Sequence, residues 1–297
     1  MEHIVDTFSN GLKNLKNNTV IFLPLLVYAV FVSLLSLVGL VPGYYILTAD
    51  DPMSLLPVAF GLLFVFLFIV ILISCYVSAG TIGMAKEAIA TGTTSFKDMT
   101  AYGKKYTIRI FVSTILLSII QFVSVIFWIP LYFAYKNAGY TIEMIIEIID
   151  TSVIVSDAFY AFLATMFVSF MIGLLLTFIY LIIVSFIFYF VSYAIVVDDM
   201  PVIAAFKKSF ALLRQYPGRV IFFILLIVLL TFALSSIVSI ISVPLSMFQN
   251  VFLSLIGSLI QTLFSIAAGV AAIVWTTRFY MDITEKELYT EENLLEF

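Results

Sequence analysis

Few side chains in this sequence are of a kind that does chemistry, and their spacing narrows the options further. Glu143, Glu147 and Asp150 recur at i, i+4 and i+7, which on a helix aligns three carboxylates, with Ile142, Ile145, Ile146 and Ile149 on the other side. Such a row attracts cations, but a hard-metal site needs several oxygens converging on one point. Residues 141–157 are therefore expected to form a surface helix on the outer leaflet with a solvated acidic face. His3 is the only histidine, which removes a histidine-built metal site and any His-dependent triad within the chain. Gly103-Lys104 lacks the pattern of a phosphate-cradling loop. No nucleophile, base and orienting acid assemble inside the apolar segments, so no catalytic residue, cofactor or metal is assigned and a non-enzymatic role is expected.

Two other groups remain. Gln121 and Gln261 are the most polar side chains within apolar segments, accompanied by Ser118, Ser124, Ser254, Ser258 and Ser265 at helix-neighbour spacings. They are expected to be intramembrane polar contacts between helices, about 1 kcal/mol or less apiece, with a polar patch for substrate as the alternative. Lys104-Lys105, Lys207-Lys208, Arg214 and Arg219 flank apolar segments. These runs are too short and too close to a membrane for nucleic acid. They suit lipid headgroups or a partner, each base contributing roughly 1 kcal/mol near anionic lipid.

The elements that position these residues follow from composition. The chain has 297 residues, 63% hydrophobic and 11% charged, with a mean hydropathy of +1.20. Soluble domains are about half apolar and a quarter charged, so a soluble globular enzyme is excluded. Charge-free runs cover residues 20–49, 52–85, 110–135, 158–197 and 220–277, and a crossing helix needs about 20 apolar residues. The last run would make about 87 Å of helix and must turn once, near 243–250, where Ser246, Gln249 and Asn250 follow Pro244. Residues 158–197 read as one long or tilted helix, or one bent near Gly173. Crossing twice would put Lys207, Lys208, Arg214 and Arg219 opposite Lys13, Lys16, Lys104 and Lys105, against the cytoplasmic bias of short basic loops.

The fold class is all-α, a polytopic membrane helix bundle of six spans near 20–41, 55–84, 108–133, 162–197, 220–242 and 251–280. Short amphipathic interfacial helices precede the odd-numbered spans. Both termini are expected in the cytoplasm, the protein lying in the cell membrane with every Lys and Arg except Lys136 on the inner side. Lys13 and Lys16 ahead of an apolar stretch imitate a signal peptide, but that stretch is too long and lacks a small-residue cleavage site, so it should remain as the first span. The single cysteine, Cys75, allows no intrachain disulfide and is expected to be a packing thiol.

Segments 13–22, 102–111 and 213–222 are each polar and basic, each ending in Ile-Phe at the start of an apolar helix. Upstream of them Ile4, Phe8, Leu12 and Leu15, then Phe96 and Met99, then Phe206, Phe210 and Leu213 fall at helical spacing. Ser95 with Asp98 reads as a capping box, Asp198 and Asp199 precede Pro201 at a helix start, and Pro217-Gly218 breaks the third amphipathic helix. One membrane domain is expected over residues 1–282, in hairpin units of about 1–90, 94–197 and 200–282, followed by an acidic tail at 283–297. Ser78, Gly80 and Gly83, and Ser235, Ser236 and Ser239, mark small-residue faces for close helix approach. Pro24 and Pro130 lie near span ends and permit kinks.

The stretch Ala204-Ala-Phe-Lys-Lys-Ser-Phe-Ala-Leu-Leu213, followed by Arg219 and a span, resembles a signature in uncharacterised prokaryotic six-span membrane proteins. That group includes the membrane domain attached to some glycerophosphoryl diester phosphodiesterases. The resemblance implies a standalone membrane domain; the soluble phosphodiesterase part, with its metal-binding acids and histidines, is missing, and no site residue carries over. The expected function is that of a non-enzymatic multi-pass protein organising lipid or a partner at the cytoplasmic membrane. The alternative is a permease or flippase-like transporter of an uncharged or amphiphilic solute. Expected partners are membrane lipid and a protein docking through the tail, with its Leu288, Leu294 and Leu295.

Overall fold

Runs of Leu, Ile, Val and Phe without a charge offer backbone N–H and C=O groups no partner in hydrocarbon except each other, so each run winds into a helix. The computed structural model describes residues 2–48, 52–137, 157–247 and 251–288. Its helices are α1 (Ile4–Asn17), α2 (Phe22–Thr48), α3 (Pro52–Thr91), α4 (Phe96–Phe122), α5 (Ile129–Asn137), α6 (Asp157–Ile187), α7 (Val191–Val197), α8 (Val202–Gln215), α9 (Pro217–Met247) and α10 (Val251–Ile283). Short 3-10 turns at Thr19–Ile21 and Val123–Trp128 lead into α2 and α5, and no strand occurs among the described residues. Six stretches are long and apolar enough to cross a membrane: Thr19–Ser36, Pro57–Thr91, Phe96–Lys136, Tyr160–Val197, Pro217–Pro244 and Phe252–Ile283. The protein is an all-α, multi-pass membrane bundle.

The chain divides into two compact units. The larger comprises Met1–Ser113 with Phe190–Phe297. In it α2 packs on α3 and α9 on α10, while α1 lies on α10 and α7 lies on α8 and α3. Its core sits towards one end of the spans, in Ile82, Met84, Ala85, Ala88 and Ile89 of α3, Ala194, Ile195 and Val196 of α7, and Val274, Phe279 and Tyr280 of α10, all nearly or fully buried. Elsewhere bulky apolar side chains such as Phe60, Phe64, Phe232 and Phe252 point outward, which hydrocarbon tolerates as water does not. Helices α3 and α4 approach through glycine. A Cβ on Gly83 would sit 2.1 Å from the Tyr102 ring, one on Gly80 would sit 2.8 Å from the Met99 carbonyl oxygen, and one on Gly103 would sit 2.7 Å from the Tyr76 ring. The small-residue face read on α3 is thus a packing face.

The smaller unit, Thr114–Tyr189, holds the last turns of α4, the Val123–Trp128 turn, α5 and α6. Pro130 explains the tightening just before it: the ring has no N–H to donate and crowds the carbonyl four residues back. Tyr180 donates to the Ile120 carbonyl at 2.6 Å, and Trp128 meets Phe170 edge-on at 5.5 Å.

Three features depart from the sequence expectations. The second amphipathic segment is no separate helix, because α4 runs unbroken from Phe96 to Phe122. The first and third are broken at Asn18 (φ −129°) and at Tyr216 (φ −129°) before Pro217, whereas Gly103 stays helical. Helix α9 continues through Pro244 to Met247, since a proline so near a helix end forfeits little; residues 248–250 lie outside those described. The run 158–197 breaks at 188–190 rather than at Gly173, and the backbone N–H of Phe190 finds a substitute acceptor in Ser209 Oγ at 3.2 Å. Gly173 is instead a contact point, where a Cβ would lie 3.0 Å from the Phe127 carbonyl oxygen. The acidic helix expected over residues 141–157 lies outside the described residues except for Asp157, which begins α6.

Cys75 is buried and is the only thiol, so its reaction with a fluorogenic maleimide reports unfolding in detergent. Gly83→Ala should destabilise the protein by about 1–3 kcal/mol through overpacking. Gly61→Ala, where nothing lies within 4 Å, should leave the melting temperature unchanged or slightly raised.

Candidate functional site

The last turns of α10 bring a charge into the protein interior. Thr276, Thr277, Arg278, Phe279, Tyr280 and Met281 are all buried, and Arg278 is 1% exposed. A guanidinium there must be both neutralised and hydrogen-bonded. Glu2 supplies both functions: Arg278 Nε donates to Oε2 at 2.9 Å and Nη2 donates to Oε1, a two-pronged pairing. Asn10 Nδ2 donates to the same carboxylate at 3.2 Å. The Glu2 backbone N–H donates to Asp282 Oδ1 at 2.8 Å, while Arg219, at the start of α9, donates to Asp282 Oδ2 at 2.7 Å and to the Glu2 carbonyl. Rings seal this knot. Phe223 and Phe279 stack with centroids 3.9 Å apart, Phe8 lies 4.9 Å from Trp275, and Trp275 Nε1 donates to the Phe8 carbonyl at 3.1 Å. Gly11 lets α1 settle on Trp275, since a Cβ there would lie 2.5 Å from the indole.

A second ionic group joins α4, the α7–α8 loop and the chain after α10. Tyr280 Oη donates to Asp198 Oδ2 at 2.6 Å and Lys286 Nζ reaches Asp198 Oδ1 at 3.1 Å. Asp199, in the left-handed region at φ 54°, accepts from Lys105 at 2.8 Å and Arg109 at 2.6 Å. Those two donors hold its carboxyl down to about 2. The turn after α10 is a Schellman-type stop, with Lys286 N–H donating to the Met281 carbonyl at 2.9 Å and Glu285 left-handed at φ 58°. Asn18 secures the α3–α4 loop, donating to the Gly92 carbonyl at 3.0 Å and accepting from Thr94 N–H at 3.0 Å. At the head of α4, Asp98 accepts from the Ser95 N–H at 2.8 Å, as the capping box requires.

Glu2, Asp198 and Asp282 thus turn into the protein, Asp199 pairs at the surface, Asp6, Glu285 and Glu287 are exposed, and the cations divide. Arg219, Arg278, Lys105, Arg109 and Lys286 are in ion pairs. Lys13, Lys16, Lys97, Lys104, Lys207, Lys208 and Arg214 have no carboxylate partner among the described residues, and all but half-exposed Lys208 are exposed. Of the residues singled out from sequence, Lys104, Lys207, Lys208 and Arg214 thus look outward, Lys105 binds Asp199, and Arg219 turns into the knot.

Helices α1 and α8 are seated the opposite way from the usual amphipathic helix. Thr7, Gly11, Asn14 and Leu15 of α1, and Ala205, Ser209 and Leu212 of α8, are buried, whereas Val5, Leu12, Ile203 and Phe210 are at least half exposed. Leu12 and Phe210, expected by spacing on one apolar face of their helices, are on the outer side.

Farther along the spans, Gln261 lines a shallow cleft of about 50 Å³ with Leu234, Ser235, Val238, Ser239, Phe264, Ser265 and Ala268. Gln121, in the smaller unit, is half-buried and is not among its walls.

A family model matches residues 3–283 of the chain. The protein belongs to the DUF7847 family, described as a domain of unknown function. No curated protein and no solved structure matches, and no link from this DUF7847 chain to the glycerophosphoryl diester phosphodiesterases is shown. The matched region takes in Arg219, Arg278 and Asp282, so the family's extent includes nearly all of the ionic layer. Sequence reading passed over Glu2, Arg278, Asp198, Asp199 and Asp282. The available signal was the placing of Arg278, the only charge between the start of α10 and Asp282, directly after the two threonines that close an apolar span.

Burial pushes the Glu2 carboxyl up, but its bonds to Arg278, the charge of Arg278, and Asn10 and Thr7 outweigh this and hold it below its ordinary 4.5. A lowered folded pKa stabilises fully above the unfolded value and is lost as pH falls through the folded one. The melting temperature should therefore be insensitive to Glu2 from pH 7 to 5 and fall below about 4.5, with a shallower fall in Glu2→Gln; thermal scans against pH read this. Arg278→Ala, which strands Glu2, should cost about 3–5 kcal/mol, measured by the Cys75 thiol assay.

Proposed function

We propose that this DUF7847 protein is a non-enzymatic organiser of anionic lipid, acting from the inner leaflet of the cell membrane with both termini in the cytoplasm. The observation that carries the reading is the seating of α1 and α8. Each packs on the bundle through a face that mixes small residues with Phe8 and Leu15 on α1 or Leu212 on α8, and turns other bulky apolar side chains outward beside cations with no carboxylate partner among the described residues: Val5 and Leu12 with Lys13 and Lys16, Ile203 and Phe210 with Lys207 and Arg214. That combination is what a helix lying at the headgroup boundary needs, apolar groups for the acyl region and cations for phosphate. Pairing of Glu2, Asp198, Asp199 and Asp282 with cations offsets four of the charges that would repel anionic lipid. The orientation follows from the basic bias of these segments. The permease alternative draws less support, because the cleft at Gln261 is walled by α9 and α10 alone and, at about 50 Å³, falls well short of a ligand pocket.

Extraction into native lipid nanodiscs with lipid mass spectrometry tests the reading. Anionic lipid should be enriched over the bulk membrane, and each of Lys13→Glu, Lys207→Glu and Arg214→Glu should reduce the enrichment by about fivefold, the equivalent of roughly 1 kcal/mol per cation. A lipid profile equal to the bulk in the wild type contradicts the proposal.

A further inference from the structure

Gln261 is the one strongly polar side chain on the outer half of α10, and it is exposed. It lies 17 residues before Arg278, which is about 25 Å along a helix, and so sits well within the apolar span from Phe252 to Ile283. The hydroxyls around it are already satisfied: Ser265 Oγ donates to the Gln261 carbonyl at 2.8 Å, Ser239 Oγ to the Ser235 carbonyl at 2.8 Å, and Thr262 Oγ1 to the Ser258 carbonyl at 2.8 Å. The Gln261 carboxamide has no hydrogen-bond partner among the described residues. Two donors and an acceptor left open in hydrocarbon cost several kcal/mol unless something meets them.

We propose that this surface joins two copies of the chain, the Gln261 carboxamides pairing across a twofold axis along the membrane normal. Three observations select a second copy over a bound solute. A carboxamide carries both donor and acceptor, so it complements itself when related by a twofold. Copies inserted with the same topology hold Gln261 at the same depth, so the pairing needs no adjustment of register. The surroundings are Ser235, Ser239, Ser265 and Ala268, small residues that admit close helix approach, and the serine hydroxyl protons with assigned acceptors bond their own helices instead of awaiting a ligand. The inference stands apart from the lipid reading, since it concerns a different part of the spans.

Because Cys75 is the only cysteine, Cys75→Ser provides a clean background. Gln261→Cys should form a disulfide-linked dimer on oxidation in membranes. Leu263→Cys, exposed at the same depth but not lining the cleft, should not. Single-molecule photobleaching across protein-to-lipid ratios should show dimers of the wild type, a dimer constant at least about threefold weaker for Gln261→Leu, and retention in Gln261→Asn. Monomers at every ratio overturn the proposal, as does equal crosslinking at both positions, or modification of Gln261→Cys by a membrane-soluble maleimide without any dimer.

Discussion

A guanidinium almost sealed from solvent at the end of an apolar helix sets terms that much of the larger unit must meet. Arg278 cannot shed its proton and cannot be left alone, so a carboxylate has to come to it, and the one that comes is 276 residues away at Glu2. Bringing Glu2 there lays α1 across α10 and seats Gly11 on Trp275. It also places the Glu2 backbone between Asp282 and Arg219. The first helix, the start of α9 and the end of α10 are thereby joined by charge-assisted bonds beside the buried rings of Phe223, Trp275 and Phe279.

The distribution of the remaining charges follows. Four carboxylates in this layer serve as acceptors: Glu2 and Asp282 in the knot, Asp198 for Tyr280 and Lys286, and, at the surface, Asp199 for Lys105 and Arg109. Cations outnumber them, and those left over project from α1, α4 and α8. Packing adds a second feature: glycines let α3 and α4 approach closely, Ile, Val and Phe fill the core at one end of the spans, and elsewhere further Leu, Val, Ile and Phe line the outside. In a bilayer this inverted arrangement gives up no hydrophobic stabilisation, and van der Waals contact between closely approaching backbones takes over.

The spans and the fold class were legible in the sequence because hydrocarbon imposes length and apolarity on each crossing, and Pro217, Ser95 with Asp98, and the glycines of α3 acted as read. The ionic knot was not legible. Glu2 and Arg278 belong to no periodic pattern, and pairing across the whole chain leaves no local trace. The break at 188–190 was missed because it contains neither proline nor glycine and is held by a tertiary bond to Ser209. The stop after α10 uses Glu285 where glycine would have announced it. Spacing placed Leu12 on one apolar face with Phe8 and Leu15, and the structure divides that set, burying Leu15 and exposing Leu12, because a helix at a membrane boundary has two apolar neighbours.

The account stands on one spatial claim, that this ionic layer and the unpaired cations of α1, α4 and α8 occupy a single side of a six-times-crossed bilayer. Single cysteines at Lys16, Lys104 and Lys207, introduced without Cys75 and probed with a charged maleimide in sealed vesicles of known orientation, test it directly. All three should react from the same face. Reaction of the Lys207 position from the face opposite to Lys104 would contradict the arrangement.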